Sequence, residues 1–460
     1  MRLLLLFIIL SSKIFAQNDL ITIVGDSLKG MVIGGESIRE VIGNVILTQG
    51  NVKVTCNKAI QYLARNDAEL IGNVIVTQDT LTIRTERGFY FGNLRKTISN
   101  SGIQLDDKKV ILSAKNGEYY FDENRAFFKD NVKLYDTIST LTSDALTYFR
   151  DKDKAIAVGL VKIEDKENII YSDSLEHFRR EQKTFAYNNV VIRNLNNNIT
   201  VLGNYLEDDR IKKYTLIKDS PILIQIDTII TKNNDSTVTS YDTLFIISQE
   251  MEIFREGENK FVAKDSVKIL RGLFSSLNEI TIYLRDSSKI ISYKKPDLEK
   301  QPVVWYEYSQ LTGDSITIYL IDNKISQLDV DGKAFMLTQN ENYQARFDQS
   351  TSSSAKIYFN DNKVNKVEYF GNVFSIYYMF DNEKPNGLVK ANSKEATIYF
   401  SENEVSDVKL IGNPGTEYYP ENLVENNESN FLLPRFNLIQ NRPTKELMYS
   451  KLNKFKWRTH

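Results

Sequence analysis

EVIGNVILTQGNVKVT, residues 40–55, is the stretch on which the fold turns. Its Gly43-Asn44-Val45 returns 29 residues later as Gly72-Asn73-Val74. From Val45 the same step of 29 reaches Val74, Ile103, Val132, Val161 and Val190. Two positions on, the column reads Leu47, Val76, Leu105, Leu134, Ile163 and Ile192. Every member of both columns is aliphatic. The column between them, Ile46, Ile75, Gln104, Lys133, Lys162 and Val191, is mixed. Apolar, mixed, apolar is the alternation of a strand with one buried face. A further column is Val54, Ile83, Leu112, Leu141, Ile170 and Ile199, and an aromatic one is Tyr62, Phe91, Tyr120, Phe149 and Phe178.

Six passes without insertion or deletion put each pass at the same place in a stacked object. One pass has room for about three short strands at roughly 3.3 Å per residue. A single pass cannot bury its apolar face, but neighbours in a stack can. Each aliphatic side chain so buried contributes about 1.5–3 kcal/mol, most of which offsets backbone ordering. Gly43-Asn44 and Gly72-Asn73 are expected to form tight turns, because both residue types tolerate positive φ. They are no phosphate loop, since no helical pattern follows them.

Past residue 220 the spacing lengthens. GDSITIYLIDNKISQLDVDGKA from Gly313, SSAKIYFNDNKVNKVEYFGNV from Ser353 and SKEATIYFSENEVSDVKLIGNP from Ser393 are copies of one unit, and an earlier copy carries Ile282-Tyr283. Each reads strand, hairpin turn, strand. The last two lead into Gly371-Asn372 and Gly412-Asn413. Between the two regimes, residues 227–243 (DTIITKNNDSTVTSYDT) read as a loop or excursion. The division is therefore 1–16 leader, 17–226 first repeat block, 227–243 excursion, 244–415 second repeat block and 416–460 an irregular cap or tail. A stack needs a cover for its last open rung. Lys451, Lys454, Lys456, Trp457 and Arg458 in that tail read as solubility or docking residues.

The chain has 460 residues, 42% of them hydrophobic, with 25 tyrosines, 24 phenylalanines, 21 glycines and 8 prolines. That mixture suits β-structure in more than one unit. Met1-Arg2, the apolar run Leu3–Leu10 and a small residue at Ala16 have the order of a secretory leader cleaved near Ala16. The run is too short to span a bilayer. Losing Arg2 and Lys13 moves the net charge from −2 to about −4, which speaks against nucleic acid. Cys56 is the only cysteine, so no intrachain disulfide can form. His177 and His460 are the only histidines, which leaves little room for His-based metal centres or Ser-His-Asp chemistry. His177 belongs to the column Gln61, Tyr90, Tyr119, Tyr148 and reads as structural.

The pattern Gly-Asn-Val, aliphatic, Ala-Ile-X-Tyr, aliphatic-Gly-Asn-Val, carried by residues 43–74 with Ala59, Ile60 and Tyr62, resembles the OstA-like, or LptA-like, repeat of lipopolysaccharide export proteins. Weaker copies run to residue 200 and variants to 414. The resemblance implies an all-β, elongated, two-sheet β-jellyroll folded like a taco, with an apolar inside that holds acyl chains. It implies a periplasmic protein that binds lipopolysaccharide or a similar lipid and passes it toward the outer membrane, without catalytic residues, metal or cofactor. Other export-machinery β-jellyrolls would join it end to end by strand addition. The expected groove lining is Val45, Leu47, Val54, Val74, Val76, Ile83, Phe91, Leu105, Leu112, Val132, Leu134, Leu141, Phe149, Val161, Ile163 and Ile170. The expected turns are Gly43, Asn44, Gly72, Asn73, Gly371 and Asn372.

Three other readings compete. An exported structural or glycan-binding β-solenoid would use the same columns as closed core. A polysaccharide-acting enzyme would need paired carboxylates, but Asp106-Asp107 and Asp208-Asp209 are adjacent and face opposite ways on a strand. An outer-membrane barrel would be apolar outside, whereas Lys133, Lys162 and Arg193 in the mixed positions favour an apolar inside.

Overall fold

The computed structural model describes residues 20–455, apart from 234, 235, 323, 361, 362, 402 and 403. The leader at 1–16 and the tail residues Lys456, Trp457, Arg458 and His460 lie outside the described residues. Strands take 69% and helices 5% of the chain, an all-β repetitive fold. It divides into two compact units, one ending at Asp165 and the other beginning at Lys166.

In the first unit most 29-residue passes hold two long strands rather than three short ones, while the pass from Lys96 is broken into four short strands, Lys96–Ser99, Ile103–Asp106, Ile111–Ala114 and Asn116–Tyr120. Strands begin at Asp67, Lys96, Arg125 and Lys154, all 29 apart. The reason lies at Gly-Asn. Gly43 (φ 79°) and Asn44 (φ 45°) sit inside the strand Glu36–Gln49, and Gly72 (φ 76°) and Asn73 (φ 48°) inside Asp67–Gln78. The positive φ is as expected, but the chain does not reverse there. Pairing shifts register between Ile42 and Val45 and between Ile71 and Val74. The pair is a bulge that bends one strand instead of ending it. In the second unit Gly371 (φ 76°) and Asn372 (φ 52°) do the same within Lys363–Asp381. Reversals fall elsewhere, at residues 50–51 and 79–80.

The bulge hands each strand from one ladder to another. Before it, Ile38–Ile42 pairs with Lys58–Tyr62, which pairs with Asp67–Ile71. After it, Val45–Gln49 pairs with Val52–Cys56, and Val52–Thr55 with Ile75–Gln78. The unit is thus two antiparallel sheets sharing strands at a bent edge. Asp26 holds that edge at Gly43: its N–H donates to the Gly43 carbonyl at 2.9 Å, and Asn44 Nδ2 donates to its carboxylate at 2.9 Å. A Cβ on Gly72 would meet Asn57 Nδ2 at 2.7 Å. Gly72→Ala therefore combines crowding with a disfavoured φ and should lower unfolding free energy by about 1–3 kcal/mol. An unchanged urea midpoint would contradict the bulge's role.

The second unit repeats the bulged design with longer strands. Lys324–Gln339, Phe347–Asn360, Lys363–Asp381 and Lys384–Ser401 have 16, 14, 19 and 18 residues, against 12 and 11 for Asp67–Gln78 and Leu81–Phe91. The longer sequence spacing follows directly. Residues 227–233 and 236–243 form an excursion rather than a loop. They are the outer part of a hairpin, Ile222–Asn233 with Ser236–Ile247. Only its base joins other strands, through Ile222–Gln225 and Leu244–Ile247. Arg271 braces that base, donating to Asp242 at 2.6 Å and Asp227 at 2.9 Å.

Candidate functional site

Val45 and Leu47 are the first and third residues after the Gly43-Asn44 bulge, so the bend places them on the inner face of the second ladder. Cross-strand register then joins the separate sequence columns into one row. Leu47 lies opposite Val54, Val54 opposite Val76, and Val76 opposite Ile83. Ile83 lies opposite Leu105, Leu105 opposite Leu112, and Leu112 opposite Leu134. Leu134 meets Leu141, and Leu141 meets Ile163. Directly paired residues share a face, so nine aliphatic side chains form an unbroken spine. Eight strand spacings of about 4.8 Å make it roughly 38 Å long. Leu47, Val54, Leu105 and Leu112 are 0% exposed, and Ile163, the most open of the nine, is 5%. Val45, Val74, Val132 and Val161 lie buried beside it. The spine is sealed from solvent.

The facing ladder supplies Val41, Ala59, Leu70, Tyr90, Tyr119, Phe128 and Tyr148, all buried. This corrects the aromatic column. Phe91 and Phe149 are only half-buried, and so are Tyr62, Tyr120 and Phe178. They turn outward, where Arg65 stacks 4.2 Å from the Tyr62 ring centre and Lys152 lies 5.6 Å from that of Phe149. The neighbouring column, Gln61, Tyr90, Tyr119 and Tyr148, is the inward one, because a shift of one residue changes face. Ile170, in the second unit, is half-buried and lies opposite Ile192. His177, also half-buried, bonds Thr184 Oγ1 at 3.0 Å.

Opposite the bent edge, the strand ends of the two sheets meet in polar latches. Tyr90 Oη donates to Gln49 Oε1 at 2.6 Å, and Gln49 Nε2 donates to the Gly92 carbonyl at 3.0 Å. Tyr148 Oη donates to Asp107 Oδ2 at 2.8 Å. The two latches are two passes apart. Burial pushes the Tyr90 and Tyr119 hydroxyls up to about 12, so they remain donors at ordinary pH. The sequence does carry a signal for the latches. A step of 29 from Gln49 gives Gln78, Asp107 and Asp136, all polar and all buried. Asp107 also accepts from the N–H groups of Lys109 and Val110. Asp208 bonds Thr215 and Arg255, and Asp209 accepts from Lys212 N. The adjacent aspartates are thus engaged in turns and latches.

The second unit differs on its outer face. Ile224, Phe245, Leu270, Ser275, Trp305, Gln310, Leu337, Gln349 and Ile376 are successive cross-strand partners, again one row on one face. The tail covers this row rather than only a final rung. Val424 and Phe431 pack on Ile376, Tyr378 and Leu388. Leu433, Phe436 and Leu438 pack on Phe335, Leu337 and Phe347. Met448 and Leu452, on the helix Lys445–Leu452, pack on Leu202, Ile222 and Phe245. Two buried glutamines grip the tail backbone. Gln349 donates to the Phe431 carbonyl (3.0 Å) and accepts from Leu433 N (2.8 Å). Gln310 donates to the Asn437 carbonyl (2.8 Å) and accepts from Ile439 N (2.9 Å). Arg346, 3% exposed, pairs with Glu421 at 2.5 Å and Glu428 at 3.3 Å. Val191, the one apolar recruit to an otherwise charged end of the mixed column, belongs to this covered face.

Near the tail, Asp348 Oδ1 accepts from Tyr378 N at 2.9 Å, and burial pushes its carboxyl up to about 7. Between about pH 4 and 7 the folded state then holds a proton that the unfolded state has released. Stability falls as pH rises through that window, and the whole penalty is present above it. Asp348→Asn should be about 1–3 kcal/mol more stable than the parent at pH 8 and equal to it below pH 4. Parallel melting curves across that range check this.

Among the described residues no helix is long and apolar enough to cross a membrane, and no three His, Cys, Asp or Glu side chains are grouped to hold a metal ion. Residues 21–173 match the family model described as OstA-like protein. The match supports an OstA-like assignment and covers most of the sealed, latched first unit. No curated protein matches the chain.

Proposed function

We propose, from the premise that residues 21–173 are OstA-like, that this is an exported, non-catalytic protein that binds lipid and transfers it toward the outer membrane. Lipopolysaccharide or a lipid like it is the cargo, and the first unit's spine is its site. The observation that carries the reading is the unbroken aliphatic row from Leu47 to Ile163. Each acyl CH₂ taken from water against such a row is worth about 0.8 kcal/mol. Because the row repeats, it presents many similar positions and no single deep trap, which suits movement along it. Entry requires the sheets to part at the Gln49–Tyr90 and Asp107–Tyr148 latches. Each latch costs little to open if water replaces the partner, about 0.5–1.5 kcal/mol net for each neutral bond at Gln49 and about 1.5–3 kcal/mol for the bond to the Asp107 carboxylate.

The unit's first strands supply an assembly surface. Ser27–Ile33 pairs with Glu36–Ile42 on one side only among the described residues. Leu28, Val32 and Ile33 on it are exposed. Such an edge suits strand addition by another β-jellyroll of an export machinery.

The sealed spine gives the structural β-solenoid reading its one specific support, because a permanent core would look the same. Titration of the full chain with a fluorescent acyl lipid separates the two. Saturable binding that lipopolysaccharide displaces is expected. A folded protein that binds neither ligand would leave only the structural reading.

A further inference from the structure

A second row on the outer face of the second unit contains a residue out of character. Ile222, Ile247, Lys268, Leu277, Val303 and Thr312 are successive cross-strand partners, and the next is Phe335. Lysine is the only charge in this row. Burial holds its amine below the ordinary lysine range, Lys451 pushes it further down, and Glu279 acts the other way. No carboxylate among the described residues lies within ion-pair distance of it, and Glu279 pairs at 3.5 Å with Lys300 instead.

Lys268 faces space on both sides. One cavity of about 460 Å³ is floored by Leu277, Val303 and Phe335 and walled by Arg435, Asn437 and Ile439 of the tail. A second, of about 250 Å³, has Ile222 and Ile247 on its floor and Lys451 and Lys454 at its side. Ser266 and Lys268 line both, so the two adjoin. The first lies within the roughly 300–1,000 Å³ of ordinary ligand sites. Lys268, Lys300 and Arg435 face Glu279 and Glu299 in the first, and Lys268, Lys451 and Lys454 face Asp219 alone in the second. Positive charge is in excess in both. A partly buried cation without a counter-ion is costly, and a ligand anion removes the cost.

We propose that these adjoining cavities together bind an anionic amphiphile with a single acyl chain, its acid group between Lys268 and Lys451 in the second and its chain across Leu277 and Val303 in the first. The tail makes the site, since without it the apolar floor would be open sheet. The site is distinct from the spine. All nine spine residues, Leu47 to Ile163, belong to the first unit, and every residue lining these cavities belongs to the second.

Calorimetric titration of the full-length protein with myristate, 1-tetradecanol and inorganic phosphate tests this. Myristate should bind, and Lys268→Met should remove or weaken by about tenfold one class of site, while Lys268→Arg restores it. Lys451→Met should weaken the same class, which guards against a misfolded Lys268→Met. Val76→Ala, in the other unit, should leave this class unchanged, so failure of the spine reading and failure of this one are distinguishable. Three results would overturn it: tetradecanol binding as tightly as myristate, phosphate binding as tightly as myristate, or myristate binding indifferent to both lysine substitutions.

Discussion

Leu105→Ala should lower the stability of the protein by about 2–5 kcal/mol, the usual cost of an emptied core site. Leu105 is 0% exposed and is held in the four-residue strand Ile103–Asp106, between Ile83 and Leu112. So short a strand cannot shift as a long one would to refill the gap, which places the loss toward the upper end. The neighbouring Gln104, on the same strand but facing out, should tolerate alanine with a change within about 0.5 kcal/mol. Denaturant unfolding of the two variants makes the comparison. Equal losses would mean that the row is not the core. Spine substitutions should also change acyl binding, so stability and lipid affinity should move together along this row and nowhere else in the first unit.

The second large effect concerns the tail. Arg346→Met removes the cation between Glu421 and Glu428 while keeping an apolar stem of similar length. Breaking a buried charge pair from one side typically costs about 3–5 kcal/mol, because the carboxylates are left without a partner. Burial and pairing act in opposite senses on Glu421, and the Arg346 bond prevails and holds its carboxyl below the ordinary range. The expected result is release of the tail ahead of the sheets. Amide hydrogens of residues 421–455 should exchange faster, while those of Lys363–Asp381 and the first unit keep their protection. Uniform loss of protection in the second unit would show that the tail is an integral layer rather than a separable cover.

The two-period alternation and the constant step of 29 were sufficient to read an all-β repeat with an aliphatic inside. Periodicity reports which side chains share a face, and Val45, Leu47 and Val76 obey it. It does not report where a strand bends. Gly43-Asn44 signals positive φ in either a reversal or a bulge, and only cross-strand register distinguishes them. The aromatic column failed for a related reason. Tyr62, Phe91 and Phe149 are apolar enough for a core, yet each can serve equally well under a lysine or arginine on a surface. The adjacent Tyr90 and Tyr148 share a column with Gln61 and His177 that does not look like core, although a hydroxyl with a partner is at home inside. The tail's place was not legible, since its grip depends on Gln310, Arg346 and Gln349, which lie about 75 to 130 residues away in sequence. One hint was there to be used. The runs Ile222-Leu223-Ile224 and Phe245-Ile246-Ile247 are apolar at every position, the mark of strands covered on both faces.

The most direct test of lipid carriage places a photoreactive residue at Val76 and, separately, at Ile75. These neighbours share a strand but face opposite ways, Val76 into the spine and Ile75 outward. With lipopolysaccharide-containing vesicles, irradiation should link lipid to the protein at Val76 and not at Ile75. Equal labelling at both positions, or labelling at Ile75 alone, would contradict an acyl-binding spine.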